Sequence, residues 1–184
     1  ADVIDIDGAD PLVTLETVTL SNSNIDFDFD ITEAGKNVLV KGVATGTGSA
    51  RIEATNNITV NTGGLTSTGN IVLEADHDIT VGSGGGTAAI TAGGGANVTI
   101  QADLNTSNDG AILDGTGLIA MGTGDLLLRA GNGIGAAGAD RIEITGLTDV
   151  AAVSNSGGIF LQNSTSGAIN ITTVGGVNGV VTTT

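Results

Sequence analysis

The chain has 184 residues, with 20 acids against 5 bases and a formal net charge of −15. It contains 31 Gly, one Pro and one His, and no Cys, Trp or Tyr. A disulfide scaffold and a Cys-ligated metal site are excluded, and nucleic acid and anionic membranes are poor partners for want of Lys, Arg and stacking aromatics.

Hydrophobic residues make up 40 % of the chain and charged residues only 14 %, the reverse of the disordered signature. The core must therefore be built from Ile, Val, Leu and Ala, which implies a narrow, repetitive interior. No apolar run reaches the roughly 18 residues of a transmembrane helix. Ala1 is not an initiator Met, and no basic-then-apolar leader follows. The expectation is a processed or excised piece of something longer.

Residues 1–33 carry nine acids and no base. Two strand-like stretches lie here, Leu12–Leu20 and Ile25–Ile31. The second alternates strictly, with Asp26, Asp28 and Asp30 on one face and Phe27 and Phe29 on the other. It reads as an edge or capping segment whose Phe pair seals a core while the Asp row faces water and blocks edge aggregation. The expected division is an acidic N-terminal segment over 1–34 and a repeat region over 35–184.

From residue 38 onward, short β-rich runs alternate with Gly, Asn, Asp, Ser and Thr turns, and sustained helical periodicity is missing. The runs are Val38–Val43, Arg51–Ala54, Ile58–Val60, Ile71–Ala75, Ile79–Val81, Ala88–Thr91 and Val98–Ala102. They continue as Ala111–Leu113, Leu118–Met121, Leu126–Ala130, Arg141–Thr145, Val150–Val153, Ile159–Gln162, Ile169–Thr172 and Val180–Thr182. An internal repeat underlies them. Ala54 maps to Ala75 at a shift of 21, Ala75 to Ala102 at 27 and Ala102 to Ala130 at 28, with IFLQN (Ile159–Asn163) as a weaker copy a further 33 on. Such periods mark repeat architectures. Three short strands per period predict an all-β parallel β-helix, a solenoid whose roughly seven coils would stack at ~4.8 Å into a rod ~35 Å long. Gly, Asn and Asp belong at its corners.

The run Leu126–Val180 carries the G-N-G-I-G turn (Gly131–Gly135), the S-G-G-I-F-L-Q-N strand (Ser156–Asn163) and a closing T-T-V-G-G-V-N-G-V. It resembles the repeats of very large secreted bacterial exoproteins, the filamentous-haemagglutinin-like β-strand-repeat surface proteins, including those of two-partner secretion systems. The resemblance covers about residues 35–184 and is periodic more than motif-exact; the acidic N-terminal third does not share it. It implies a right-handed parallel β-helix on the cell surface, acting in adhesion, biofilm or filament building.

Candidate chemistry is sparse. His77 is flanked by Asp76 and Asp78, but neighbours on a strand point to opposite faces, so neither acid is placed to orient it; with no G-x-S-x-G elbow and no Cys, no enzyme is expected. Glycan cleavage would need clustered carboxylates and aromatic platforms, and the 11 acids beyond residue 33 are scattered. Asp5, Asp7 and Asp10 share the Asp-x-Asp-Gly spacing of calcium loops. They are the candidate metal ligands, although Ile6 and a missing terminal Glu leave a solvated turn as the other reading. Gly84–Gly86 and Gly93–Gly95 carry no following Asp of a calcium β-roll and no P-loop Lys. Asn57, Asn97, Asn105, Asn163 and Asn170 begin Asn-x-Ser/Thr triplets, which chance supplies readily in so Asn- and Thr-rich a chain. Flat Thr ranks for ice binding would need constant coil length, and the drift from 21 to 33 is expected to spoil it.

The expected function is a structural segment of an extracellular bacterial surface protein, a stiff rod or filament unit growing by end-to-end β-stacking. Its self-association residues would be Leu12, Leu20, Ile25, Phe27, Phe29, Val180 and Val181. The other reading is an adhesin module that binds a host or matrix ligand through the loops Gly131–Ala139 and Asn105–Asp109. No cofactor is expected beyond calcium.

Overall fold

A computed structural model of the chain describes residues 10–20, 24–82, 87–146, 149–164 and 169–183. Among the described residues there is no helix. The strands wind into a parallel β-solenoid of about six turns, slightly fewer than the roughly seven coils expected.

Each coil contributes one strand to each of three faces. The first coil holds β1 (Leu12–Leu15), β2 (Val18–Leu20) and β3 (Phe27–Asp30), and the second β4 (Asn37–Val40), β5 (Val43–Thr45) and β6 (Ala50–Ala54). The third holds β7 (Ile58–Val60), β8 (Leu65–Ser67) and β9 (Ile71–Ala75), and the fourth β10 (Ile79–Val81), β11 (Ala88–Ala92) and β12 (Val98–Ala102). The fifth runs through β13 (Ile112–Asp114), β14 (Leu118–Met121) and the start of β15 (Leu126–Ile134). β15 rounds a corner without breaking and opens the sixth coil, which continues through β16 (Ile142–Thr145) into β17 (Asp149–Ile159). β17 turns the same corner. Beyond it lie β18 (Leu161–Asn163), β19 (Asn170–Ile171), the antiparallel hairpin β20 (Thr173–Val174) and β21 (Val177–Asn178), and β22 (Val180–Thr182). All other pairings are parallel.

Alternation decides the interior. In a strand every second side chain points inward, and parallel pairing in register stacks like positions. One core column runs Phe29–Ile52–Leu73–Ile100–Leu128–Ala152–Val180, and a second runs Val38–Ile58–Ile79–Ile112–Ile134. Ile52, Leu73, Ile100, Leu128, Ile58, Ile79 and Ile112 are fully buried. Ala54, Ala75 and Ala102 stack directly on one another.

Corners are tied by side-chain amides and carboxylates. Asn37 Oδ1 accepts the N–H of Asn57 at 3.3 Å, Asn57 Oδ1 that of Asp78 at 2.9 Å, and Asp78 Oδ1 that of Ala111 at 2.8 Å. A second ladder joins Asn70 to Asn97 at 3.0 Å and Asn97 to Asp125 at 2.9 Å. Each rung satisfies a corner N–H that no strand reaches. At another corner Gly82 takes φ +86° against Gly117, with no room between their backbones for a Cβ.

Several expectations are corrected. Drift in coil length does not spoil register: Ile79 stacks on Ile58, 21 residues away, and on Ile112, 33 away, and half of the twelve extra residues fall in the connection from Ala102 to Ile112, where the short coil passes from Ala75 to Ile79 in four. IFLQN is not the copy that follows Leu126–Ala130. That place belongs to Val150–Ser154, with Leu126 on Val150 and Ala130 on Ser154, while Leu161–Asn163 pairs with β16 on another face. Leu12–Leu20 is two strands broken at a corner, and Gly131–Ile134 is strand rather than loop.

Candidate functional site

Three places could engage a partner: the two ends of the solenoid and a loop-covered groove. At one end β1, β2 and β3 are, among the described residues, the outermost strands of their faces. The acidic segment thus forms a coil in its own right. Phe27 and Phe29 point into the core and are buried, their rings stacked with centroids 6.3 Å apart. Leu20 is half-buried, while Leu12 and Ile25 are 43 % and 57 % exposed. At the other end the columns finish in Ile171 and Val180, 66 % and 40 % exposed, with Val181 and Phe160 nearly as open. Only one large hydrophobic exposed to this degree, Leu113, lies on the described wall between the ends.

Charge is distributed unequally between these ends. Exposed Asp26, Asp28, Asp30, Glu16 and Glu33 surround the first coil. The bases that answer them come mostly from the second: Lys41 Nζ lies 3.3 Å from Glu16, Lys36 Nζ 3.4 Å from Glu33, and Arg51 Nη1 3.3 Å from Asp28. Arg51 also meets Glu53 and, at 2.8 Å, Glu74. Burial alone would lower the Arg51 pKa, but Asp28, Glu53 and Glu74 outweigh it and hold the pKa above its ordinary value. Burial pushes the Glu53 carboxyl up while Arg51 pulls it back. From Val150 to Thr184 there is no charged side chain at all.

Of the calcium candidates, Asp5 and Asp7 lie outside the described residues. Asp10 spends its Oδ1 on the Leu12 N–H at 3.1 Å, and its carbonyl accepts Lys36 Nζ at 2.9 Å. Among the described residues no group of three or more His, Asp or Glu converges on a metal position. Gly84–Gly86 also lie outside the description.

The groove lies where Asp103–Ala111 overhangs β12, β15 and β17. It is a shallow space of about 130 Å³ lined by Gln101, Asp103, Thr106, Arg129, Val153 and Asn155. The loop is held from inside: buried Asp103 accepts from Ser107 Oγ and the Asn108 N–H, both at 2.9 Å, and Asn155 Nδ2 donates to Asn108 Oδ1 at 2.8 Å. Asp103, Thr106 and Asn108 all take positive φ, of 68°, 60° and 65°. Gly131 permits the close approach, since a Cβ there would stand 2.8 Å from the Asn108 Cα. Sequence reading named Asn105–Asp109 but missed Asp103, whose one signal is an Asp ending a strand before a polar run. It also missed the hairpin, whose Gly175 carbonyl receives Arg129 Nη2 at 3.2 Å and whose tip covers the outward-pointing Leu127.

His77 is met by neither flanking acid but by Asp109 from the next coil, at 3.5 Å. Asp109 also accepts from Ser107. The acid thus stands between hydroxyl and imidazole, whereas nucleophilic catalysis needs the imidazole between. Of the Asn-x-Ser/Thr triplets, Asn57 and Asn97 are rungs of the corner ladders, and Asn105 accepts from Ser107 within the loop.

The fold defines the chain as a parallel β-solenoid. Comparison with family models, curated proteins and solved structures gives no match in any of the three.

Proposed function

We propose that this chain is a structural segment of an extracellular bacterial surface protein of the filamentous-haemagglutinin-like kind, a stiff rod that lengthens by end-to-end β-stacking. One observation carries the reading: among the described residues, large apolar side chains are exposed mainly in the first and last described coils, Leu12 and Ile25 in one and Phe160, Ile171, Val180 and Val181 in the other. Among the described residues β1, β2 and β3 have no strand paired on their outer side, and such edges offer N–H and C=O groups to a further strand. A second copy of the same coil shape satisfies both, and a joint whose rotation does not close builds an open fibre. The strong negative charge keeps rods apart laterally.

Sedimentation velocity over a range of concentrations tests this. The expected result is concentration-dependent polymer for the wild type and monomer for Val180→Asp combined with Ile171→Asp. A wild type that stays monomeric throughout would overturn it.

The loop-covered groove favours a second reading, an adhesin module. Its Arg129, Gln101 and Asn155 side chains offer donors beside the Thr106 hydroxyl. Monomeric protein would then bind cells or matrix glycans, and Arg129→Ala would abolish that binding without changing the fold.

A further inference from the structure

We propose that one wall of the first three coils is a proton-sensitive element: a column of stacked carboxylates that a single guanidinium, Arg51, makes tolerable at neutral pH, and that tightens on acidification. Strand register builds the column. On the outward side of β3, β6 and β9, Asp30 pairs with Glu53 and Glu53 with Glu74. Three acids therefore stand one above another at the strand spacing of ~4.8 Å. Like charges directly opposite each other on paired strands are destabilising. The column stops at Gln101, the uncharged partner of Glu74 on β12.

Two residues along the same strands, Asp28 pairs with Arg51 and Arg51 with Val72. From there Arg51 answers both columns. Its Nη1 lies 3.3 Å from Asp28, its Nε and Nη2 lie 2.9 and 2.8 Å from Glu74 Oε2, and Nη2 also meets Glu53. One side chain thus reaches a coil to either side of its own. In a repeat whose coils touch only their neighbours, such a tie couples three of them. Neutralisation is incomplete, because Asp28, Asp30, Glu53 and Glu74 are the acids of β3, β6 and β9 and Arg51 is their one base. Protonation removes the excess, and Glu53, half-buried with an acid on either side, is where it acts first. Burial raises its pKa, Arg51 pulls it back, and Asp30 and Glu74 push it up again. With the folded pKa above the unfolded one, the fold binds the proton first, and stability is gained as pH falls through the interval between them.

Arg51→Met keeps the aliphatic stem and removes the charge. Urea midpoints at pH 7 and pH 5 are compared for the wild type, Arg51→Met, Arg51→Met combined with Glu53→Gln, and Lys41→Met. The last breaks the exposed pair with Glu16, a surface pair of ordinary worth. At pH 7 Arg51→Met should fall further below the wild type than Lys41→Met does. At pH 5 its deficit should shrink by half or more, and Glu53→Gln should close most of it at pH 7. Hydrogen exchange at pH 7 should quicken in peptides covering β3, β6 and β9 and stay unchanged over β15. A deficit independent of pH, or one that Glu53→Gln leaves untouched, would overturn the proposal and reduce Arg51 to packing. Should Arg51→Met be unfolded at pH 7, refolding at pH 5 would support the proposal and failure to refold would overturn it.

Discussion

Ile100 shows what a single position contributes. It is fully buried, with Leu73 and Leu128 directly beside it in the column. Truncation to Ala leaves a cavity that rigid coils on both sides cannot fill, so Ile100→Ala should cost about 2–5 kcal/mol in urea unfolding. Thr99→Ala, one residue away but pointing outward, should stay within about 0.5 kcal/mol. Equal effects would contradict the alternation. Asp114 is the opposite case, a carboxylate stacked on Val81. Burial raises its pKa, Glu143 and Asp140 add to that, and the Thr116 and Gly117 N–H groups pull the other way. With the folded pKa above the unfolded one, the fold binds the proton first, so stability rises as pH falls through the interval between them. The urea midpoint should climb on acidification from pH 7 toward the carboxylate range, and Asp114→Asn should flatten that climb; parallel curves would refute the assignment. The alternation of residues such as Val98, Ile100 and Ala102 was legible because it follows from strand geometry alone. The Asp103 loop was not, because its positive-φ positions are Asp, Thr and Asn rather than Gly.

Among the elements, strands were legible where two or more large apolar residues alternate, as in Ile71–Ala75. β8, with Leu65 its one large apolar residue, was invisible without its neighbours Val43 and Ile90 stacked on either side. The IFLQN error has a related cause. β15 and β17 pass through corners as continuous strands, with Gly133 and Gly157 at positive φ, so a turn signal in the sequence does not mark a coil boundary there. Coil length carries little information for the same reason: insertions leave the wall outward and cost little closure entropy. Deleting Asn105–Asp109 together with Asp103→Ala, which removes the buried carboxylate those residues satisfy, should therefore preserve the far-ultraviolet dichroism and shift stability by only about 1 kcal/mol. Loss of cooperative unfolding would show that the loop, and not the columns, sets the register. The corner ladders of Asn37, Asn57 and Asp78 were anticipated in kind, since Asn and Asp were expected at corners, but their one-rung-per-coil bonding needed the three-dimensional stack.

As a whole molecule, the solenoid is a repeat whose coils touch only their neighbours, so nothing in its interior sets a length. Charge is uneven along it: the first described coil is acidic, and the stretch from Val150 to Thr184 carries no charged side chain. That difference was half legible: the nine acids of residues 1–33 stood out, while only the three-dimensional stack places the charge-free stretch from Val150 farthest from them among the described coils. Cryo-electron microscopy of the purified chain at rising concentration tests the whole account most directly. It predicts unbranched filaments one solenoid wide, with strands perpendicular to the axis and a ~4.8 Å axial repeat carried unbroken through the joints. Isolated short rods at every concentration, or filaments whose ~4.8 Å repeat breaks at the joints, would contradict it.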